Sequence, residues 1–229
     1  MTGMYAIAKR EFLTLFKSFK SVAIVLLFCI VAFSISNFVK NNPGLMFGEE
    51  SNPYVSGIRF LVTVLGFLFV LTLSHDTINR EVESQTIRFV VTKVPKTSIV
   101  FGKYLGILLF WAVCLACSFT VIFLSIGQLY VLEYIRLIVF ISFAVGVNML
   151  LSTIIPKGSY SIFASLLCGL LLPAAGMWSV FTENQASQLI KYATPYYYLI
   201  ESNWKSYFPF VISILFVYVA IFIFRRKDL

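Results

Sequence analysis

The stretch Arg80–Lys103, REVESQTIRFVVTKVPKTSIVFGK, decides the fold, because it is densely ionic and lies between two long apolar runs. With its upstream flank it holds eight charges: Arg80, Arg88, Lys93, Lys96 and Lys103, with Asp76, Glu81 and Glu83. Burying these in hydrocarbon would cost about 20 kcal/mol or more, against a gain of about 0.3 to 0.6 kcal/mol per large apolar residue. The stretch therefore belongs in water, and the runs on either side belong in a membrane.

Composition carries that reading to the whole chain. Of 229 residues, 59% are hydrophobic, 17% aromatic and only 12% charged, whereas about a quarter of a soluble domain is charged. The apolar runs predict an all-α integral membrane fold with six transmembrane helices, over residues 21–39, 55–75, 98–126, 136–155, 158–181 and 207–225. Helices are favoured over a barrel because lipid offers the backbone no partner and short alternating strands are lacking. At about 20 residues per crossing, the connections leave no room for a second domain, so residues 1–229 read as a single transmembrane domain. The second span is short in its uncharged part and is extended back to Tyr54, with Arg59 snorkelling. The third is too long, and Gly127–Leu132 is expected to form an outer turn. The first run is unlike a cleavable signal peptide, since it follows a 20-residue preamble and lacks a small-residue cleavage site.

Charge sets the expected orientation. With the N-terminus cytoplasmic, 13 of the 18 Lys and Arg fall on one side, leaving Lys40, Arg59, Arg136, Lys191 and Lys205 on the other. The acids divide evenly, so the net charge of +8 gathers on the inner face. Both termini are expected inside, in the cell membrane. The basic excess reads as a topology signal and a match to anionic membrane lipids, not as a nucleic-acid footprint.

Residues 1–20, MTGMYAIAKREFLTLFKSFK, have the pattern of a helix lying along the interface. On a helical wheel Tyr5, Ala8, Phe12, Leu15, Phe16 and Phe19 share one arc, and Lys9, Arg10, Lys17 and Lys20 another. Within the inner connection, Asp76–Thr92 has helix-compatible composition, Pro95 redirects the chain, and Thr97 or Ser98 can cap the third span. This is a compact, charged element with the shape of a docking surface. On the opposite side, NFVKNNPGLMFGEESNPYVSG reads as a loop. Pro173, between Gly169 and Gly176, marks a helix kink or a break leading into an irregular outer segment. In that segment a partly re-entrant helix is expected over Gln185–Tyr192. Tyr192, Tyr196, Tyr197, Tyr198, Trp204 and Tyr207 are expected at headgroup level.

Several chemistries lack their parts. The spans hold almost no ionisable groups away from their ends, unlike ion-coupled carriers. The single histidine, His75, has no nucleophile or further metal donors beside it in sequence and reads as a helix-end residue. Cys29, Cys114, Cys117 and Cys168 all fall in spans and read as packing residues, the CxxC spacing of Cys114 and Cys117 notwithstanding. A phosphate-binding loop needs G-x-x-x-x-G-K-[ST], and Gly102-Lys103 is followed by Tyr104. No catalytic residue and no metal ligand is assigned, and any ATP-driven work requires another chain.

The arrangement resembles the permease subunit of type-2 ATP-binding-cassette exporters over essentially its whole length. The likeness is strongest in REVESQTIRFVVTKVPKTSIVFGKYLG. There Glu81 and Glu83 fall on the family's acidic positions, Thr86 and Ile87 on its Thr-aliphatic pair, and Pro95, Gly102 and Lys103 on the turn and helix entry. Gln85 stands where a Gly is common. AIAKREFLTLFKSF is similar to the family's elbow helix, with Lys9, Arg10, Glu11, Phe12 and Phe16, and YATPYYYLI to its Pro-aromatic segment.

The resemblance implies a cytoplasmic coupling helix over Glu81–Thr92 that docks into a cleft of an ABC ATPase subunit. Val82, Phe89 and Val90 would fill a small pocket there, with Glu81, Glu83 and Arg88 pairing at its rim and Thr86 and Ile87 alongside. The acids could instead, or also, pair with Lys9 or Arg10 of the elbow. The resemblance further implies a second permease copy, as a homodimer or close heterodimer, and ATP and Mg held by the partner ATPase rather than by this chain. The expected cargo is an amphipathic peptide, an antibiotic or a lipid. The competing expectation is a non-transporting membrane scaffold or immunity protein.

Overall fold

The computed structural model describes residues 2–42, 52–182, 184–200 and 203–226, with the side chains of Thr2, Arg88, Val90, Ala186 and Ile200 outside the description. Every element among the described residues is helical. Six are long and apolar enough to cross a membrane: α2 (Phe19–Asn41), α3 (Ser56–Ser74), α6 (Lys96–Ile126), α7 (Val131–Ile154), α8 (Gly158–Phe181) and α11 (Phe208–Arg226). The short elements are α1 (Thr2–Phe16), α4 (Asn79–Glu83), α5 (Ile87–Val91), α9 (Gln185–Ala193) and α10 (Pro195–Ile200). The chain is therefore a multi-pass membrane protein. Most of the loop expected after the first span, residues 43–51, lies outside the described residues.

Helix α7 is the axle of the bundle, packing against α3, α6 and α11. Of its most apolar window 72% is buried within the chain, against 22% for α2 and 28% for α8 and for α11. Those outer helices turn large side chains such as Leu26, Ile30, Leu170, Leu171 and Tyr218 outward. This distribution is possible because lipid accepts apolar surface at no cost, so contact between spans depends on close packing and on scattered polar groups. Both occur. Gly146 of α7 lies against Ser213 of α11, where an added Cβ would come within 2.8 Å of the Ser213 hydroxyl. The Tyr104 hydroxyl of α6 meets Ser213 Oγ at 3.0 Å, and Ser213 in turn donates to the Ser142 carbonyl of α7. On the same stretch of α7, Phe67 packs edge-on against Phe140 and Phe143 and is stacked with Tyr196, the ring centroids 5.5 to 6.1 Å apart.

Several element boundaries depart from the sequence reading, each for a local reason. Helix α1 stops at Phe16, and α2 starts at Phe19 after Ser18 adopts an extended backbone. Helix α7 starts at Val131, five residues before the expected 136, because Glu133 and Arg136 neutralise each other at 2.9 Å on successive turns. Helix α6 starts at Lys96 after an extended Pro95. Thr97 and Ser98 lie inside the helix, and no side chain caps it. It closes at Gly127, whose φ of 79° lets its N–H return to the Phe123 carbonyl, a conformation glycine adopts without strain. Helix α8 continues through Pro173 to Phe181, so the chain does not break there.

Tyr196 also departs from its expected headgroup position. It is 4% exposed and sits between Phe67 and Phe140, its hydroxyl donating to the Thr63 carbonyl at 2.9 Å. Gly176 of α8 makes room for it, since a Cβ there would lie 2.3 Å from the ring. Tyr198 is buried as well, while Tyr192, Trp204 and Tyr207 are exposed.

Candidate functional site

The ionic connection folds into a hairpin of two short helices rather than the single helix expected over Glu81–Thr92. Helix α4 ends at Glu83 and α5 begins at Ile87, with Gln85 between them at φ 55°. That left-handed turn explains the break, and it is a conformation that Gly takes without the steric cost a side chain brings.

The root of the hairpin is fixed to four other helices. Lys103, near the start of α6, is 2% exposed, and its ammonium lies 3.1 Å from Glu81 and 3.8 Å from Glu11 of α1. The same ammonium donates to the Thr77 carbonyl. Glu81 also faces Arg10 at 3.5 Å, although Arg10 is largely exposed and this contact is correspondingly weak. On the other side, Glu83 accepts the Gly158 N–H at 3.1 Å, at the start of α8, where the helix dipole favours a carboxylate. From α7, Asn148 donates to the Ser74 carbonyl at 2.8 Å and Ser152 Oγ accepts the Ile78 N–H at 2.8 Å. Ser161 of α8 donates to the His75 carbonyl at 2.6 Å.

The long α6 carries this site. At about 1.5 Å per residue, its 31 residues extend roughly 46 Å, well beyond a hydrocarbon core of about 30 Å. The excess places Lys103 about two turns in from the start of the helix, where α1 crosses it. Two glycines allow that crossing: a Cβ on Gly102 would lie 2.9 Å from the Met4 carbonyl, and one on Gly106 only 2.6 Å from the Ala8 carbonyl. The G-x-x-x-G pair thus brings α1 close enough for Glu11 to reach Lys103.

Burial raises the Glu11 carboxyl above its ordinary 4.5; Lys103 lowers it and Glu81 raises it further. The physical picture is of two carboxylates sharing one well-buried ammonium. Such a cluster holds elements together. Among the described residues no three His, Cys, Asp or Glu side chains converge on a metal position.

The coupling residues named from sequence therefore take unequal roles. Glu81 pairs with Lys103, Glu83 is exposed and accepts the Gly158 N–H, Ile87 is buried, and Val82 is partly buried against the core. Thr86 is exposed, its hydroxyl 2.9 Å from Ser84 Oγ, and Phe89 is 77% exposed. The side chains of Arg88 and Val90 lie outside the described residues. On α1, Lys9 and Arg10 are exposed, Phe12 packs inward, and Phe16 meets the rings of Phe12 and Phe110 at 5.7 and 6.4 Å. Pro173 is buried in α8 and takes no part in this cluster.

Sequence reasoning missed Lys103 as the hub, having placed it at a helix entry, and it missed the Asn148, Ser152 and Ser161 straps. For Lys103 a signal existed: a lone ammonium bracketed by Gly102 and Gly106 at close-packing spacing. For the straps none did, since Ser and Asn at these positions look like any polar residue in a span. No protein-family model matches the chain, and no curated protein aligns with it significantly.

Proposed function

We propose that this chain is the membrane permease subunit of an ATP-driven ABC exporter, with the α4–α5 hairpin docking to a separate ATPase chain on the cytoplasmic side. Beyond the resemblance, one observation carries the reading. The hairpin is clamped at its root to α1, α6, α7 and α8, while its turn and the Phe89 ring stay exposed. A surface loop with no mechanical task needs no such clamp. An element that must transmit a push does, because a displacement at its tip reaches the spans only through stiff contacts.

In this reading Phe89 is the anchor that enters the partner's cleft, Glu81 and Lys103 relay the motion to α6, and Glu83 relays it to α8. Two copies of the chain, as a homodimer or close heterodimer, enclose the path, and ATP and Mg are held by the partner. The cargo is an amphipathic peptide, an antibiotic or a lipid, in keeping with spans whose charges cluster at their ends. Gentle extraction from the native membrane tests the proposal. The chain should carry an ATP-hydrolysing partner, and Phe89→Asp should release it while leaving the chain folded. Recovery of the wild-type chain without such a partner would instead favour a scaffold or immunity role.

A further inference from the structure

A second site lies at the other end of the bundle, and its test is independent of transport. Helices α3, α8 and α10 leave between them a cleft of about 360 Å³, within the range of about 300 to 1,000 Å³ typical of ligand pockets. Its walls are mainly apolar: Phe60 from α3, Met177, Val180 and Phe181 from α8, and Leu199 from α10. Phe60 is 62% exposed and Phe181 87%, on spanning helices whose outer faces meet lipid, so the cleft opens sideways to acyl chains.

Arg59 stands in the first turns of α3 at the margin of this cleft. Its guanidinium donates to the Leu199 carbonyl at 2.9 Å, and among the described residues no carboxylate pairs with it. Other cations at this end are differently placed. Arg136 is matched by Glu133 at 2.9 Å, Lys40 donates to the Ser125 carbonyl, and Lys191 lies over the Tyr197 ring. Among the described residues, Arg59 combines a half-buried charge that no described carboxylate matches with an apolar recess beside it. A guanidinium bound to a neutral carbonyl keeps its full charge and has further N–H groups to offer a phosphate.

We infer that this cleft binds an anionic phospholipid, with the headgroup phosphate on Arg59 and an acyl chain against Phe60, Met177 and Phe181. The test uses the full chain in vesicles and fluorescence quenching by brominated phosphatidylglycerol or brominated phosphatidylcholine. Trp178 is next to Met177 and half exposed, whereas Trp111 is fully buried and out of a quencher's reach. Trp204→Phe removes the remaining exposed indole. In that background phosphatidylglycerol should associate roughly three- to tenfold more strongly than phosphatidylcholine, as expected of a partly screened charge-assisted contact. Arg59→Gln should bring the two lipids level, Arg59→Lys should keep most of the preference, and Lys205→Gln, at an exposed lysine, should keep all of it. Equal quenching by both lipids in the starting background, or a preference that survives Arg59→Gln, would overturn the assignment. Trp178 quenching by brominated phosphatidylcholine checks that the variants are inserted, so loss of fold and loss of selectivity give different results.

Discussion

Replacing Lys103 with Met should be among the most damaging single substitutions in the chain. The ammonium is nearly inaccessible and is held by the Thr77 carbonyl, by Glu81 at 3.1 Å and by Glu11 at 3.8 Å. Methionine fills a similar volume but leaves two carboxylates facing each other, with the exposed Arg10 beside Glu81. Removing one partner of a buried ionic cluster typically costs about 3 to 5 kcal/mol, since the other charge is left uncompensated. Most of the loss should therefore come from the stranded acids. Adding Glu81→Gln to Lys103→Met should recover part of it, with a coupling of about 1 to 3 kcal/mol between the sites. Equilibrium unfolding in mixed micelles, followed by helical circular dichroism, measures both quantities.

The pH dependence gives a second reading of the same cluster. Because burial raises Glu11 above 4.5, the folded chain binds its proton more readily than the unfolded chain does. Stability attributable to Glu11 should therefore fall as pH rises from 4.5 through the raised value, and Glu11→Gln should flatten that slope. Lys103→Met removes the main influence lowering Glu11, so the window should reach to higher pH. If Lys103→Met proves within about 0.5 kcal/mol of wild type, the range of an ordinary surface change, the cluster does not clamp the hairpin.

Substitutions at three further positions probe separate features. Gly106→Val places branched carbon where an added Cβ alone would lie 2.6 Å from the Ala8 carbonyl; it should lift α1 from α6, cost about 1 to 3 kcal/mol and expose Glu11 to aqueous carboxyl reagents. Gln85→Gly relieves a φ of 55° and should raise stability by up to about 1 kcal/mol, whereas Gln85→Val should lower it. Tyr196→Phe removes the hydroxyl bonded to the Thr63 carbonyl but keeps the ring packed. It should cost about 1 kcal/mol, against about 3 to 5 kcal/mol for Tyr196→Ala; both are read from the same unfolding curves.

What could be read from sequence follows from which physical effects are local. Six spans and an all-helical fold were legible because hydrocarbon imposes a length and a composition that no neighbouring helix can override. Amphipathic patterning likewise marked out an N-terminal helix, which runs over Thr2–Phe16. The break in the hairpin was not read from sequence: Gln85 stands where Gly is common in the family that the chain resembles, and its left-handed backbone emerges only in the folded chain. Tyr196 was misplaced because a tyrosine's polar tip suits either an interface or a buried carbonyl, and only the Gly176 recess decides between them. The engagement of Glu81 and Glu83 within the chain depends on Lys103 and Gly158, which are 22 and 75 positions away. Contacts at such separations leave no periodic trace.

A photoreactive phenylalanine analogue at Phe89, introduced in living cells, tests the docking role most directly. The account predicts that illumination joins the chain to an ATP-hydrolysing protein, and that the adduct disappears when the same analogue is moved to Phe163, an exposed site on the outer face of α8. Adducts at position 89 with lipid alone, or labelling of that position from outside intact cells, would contradict it.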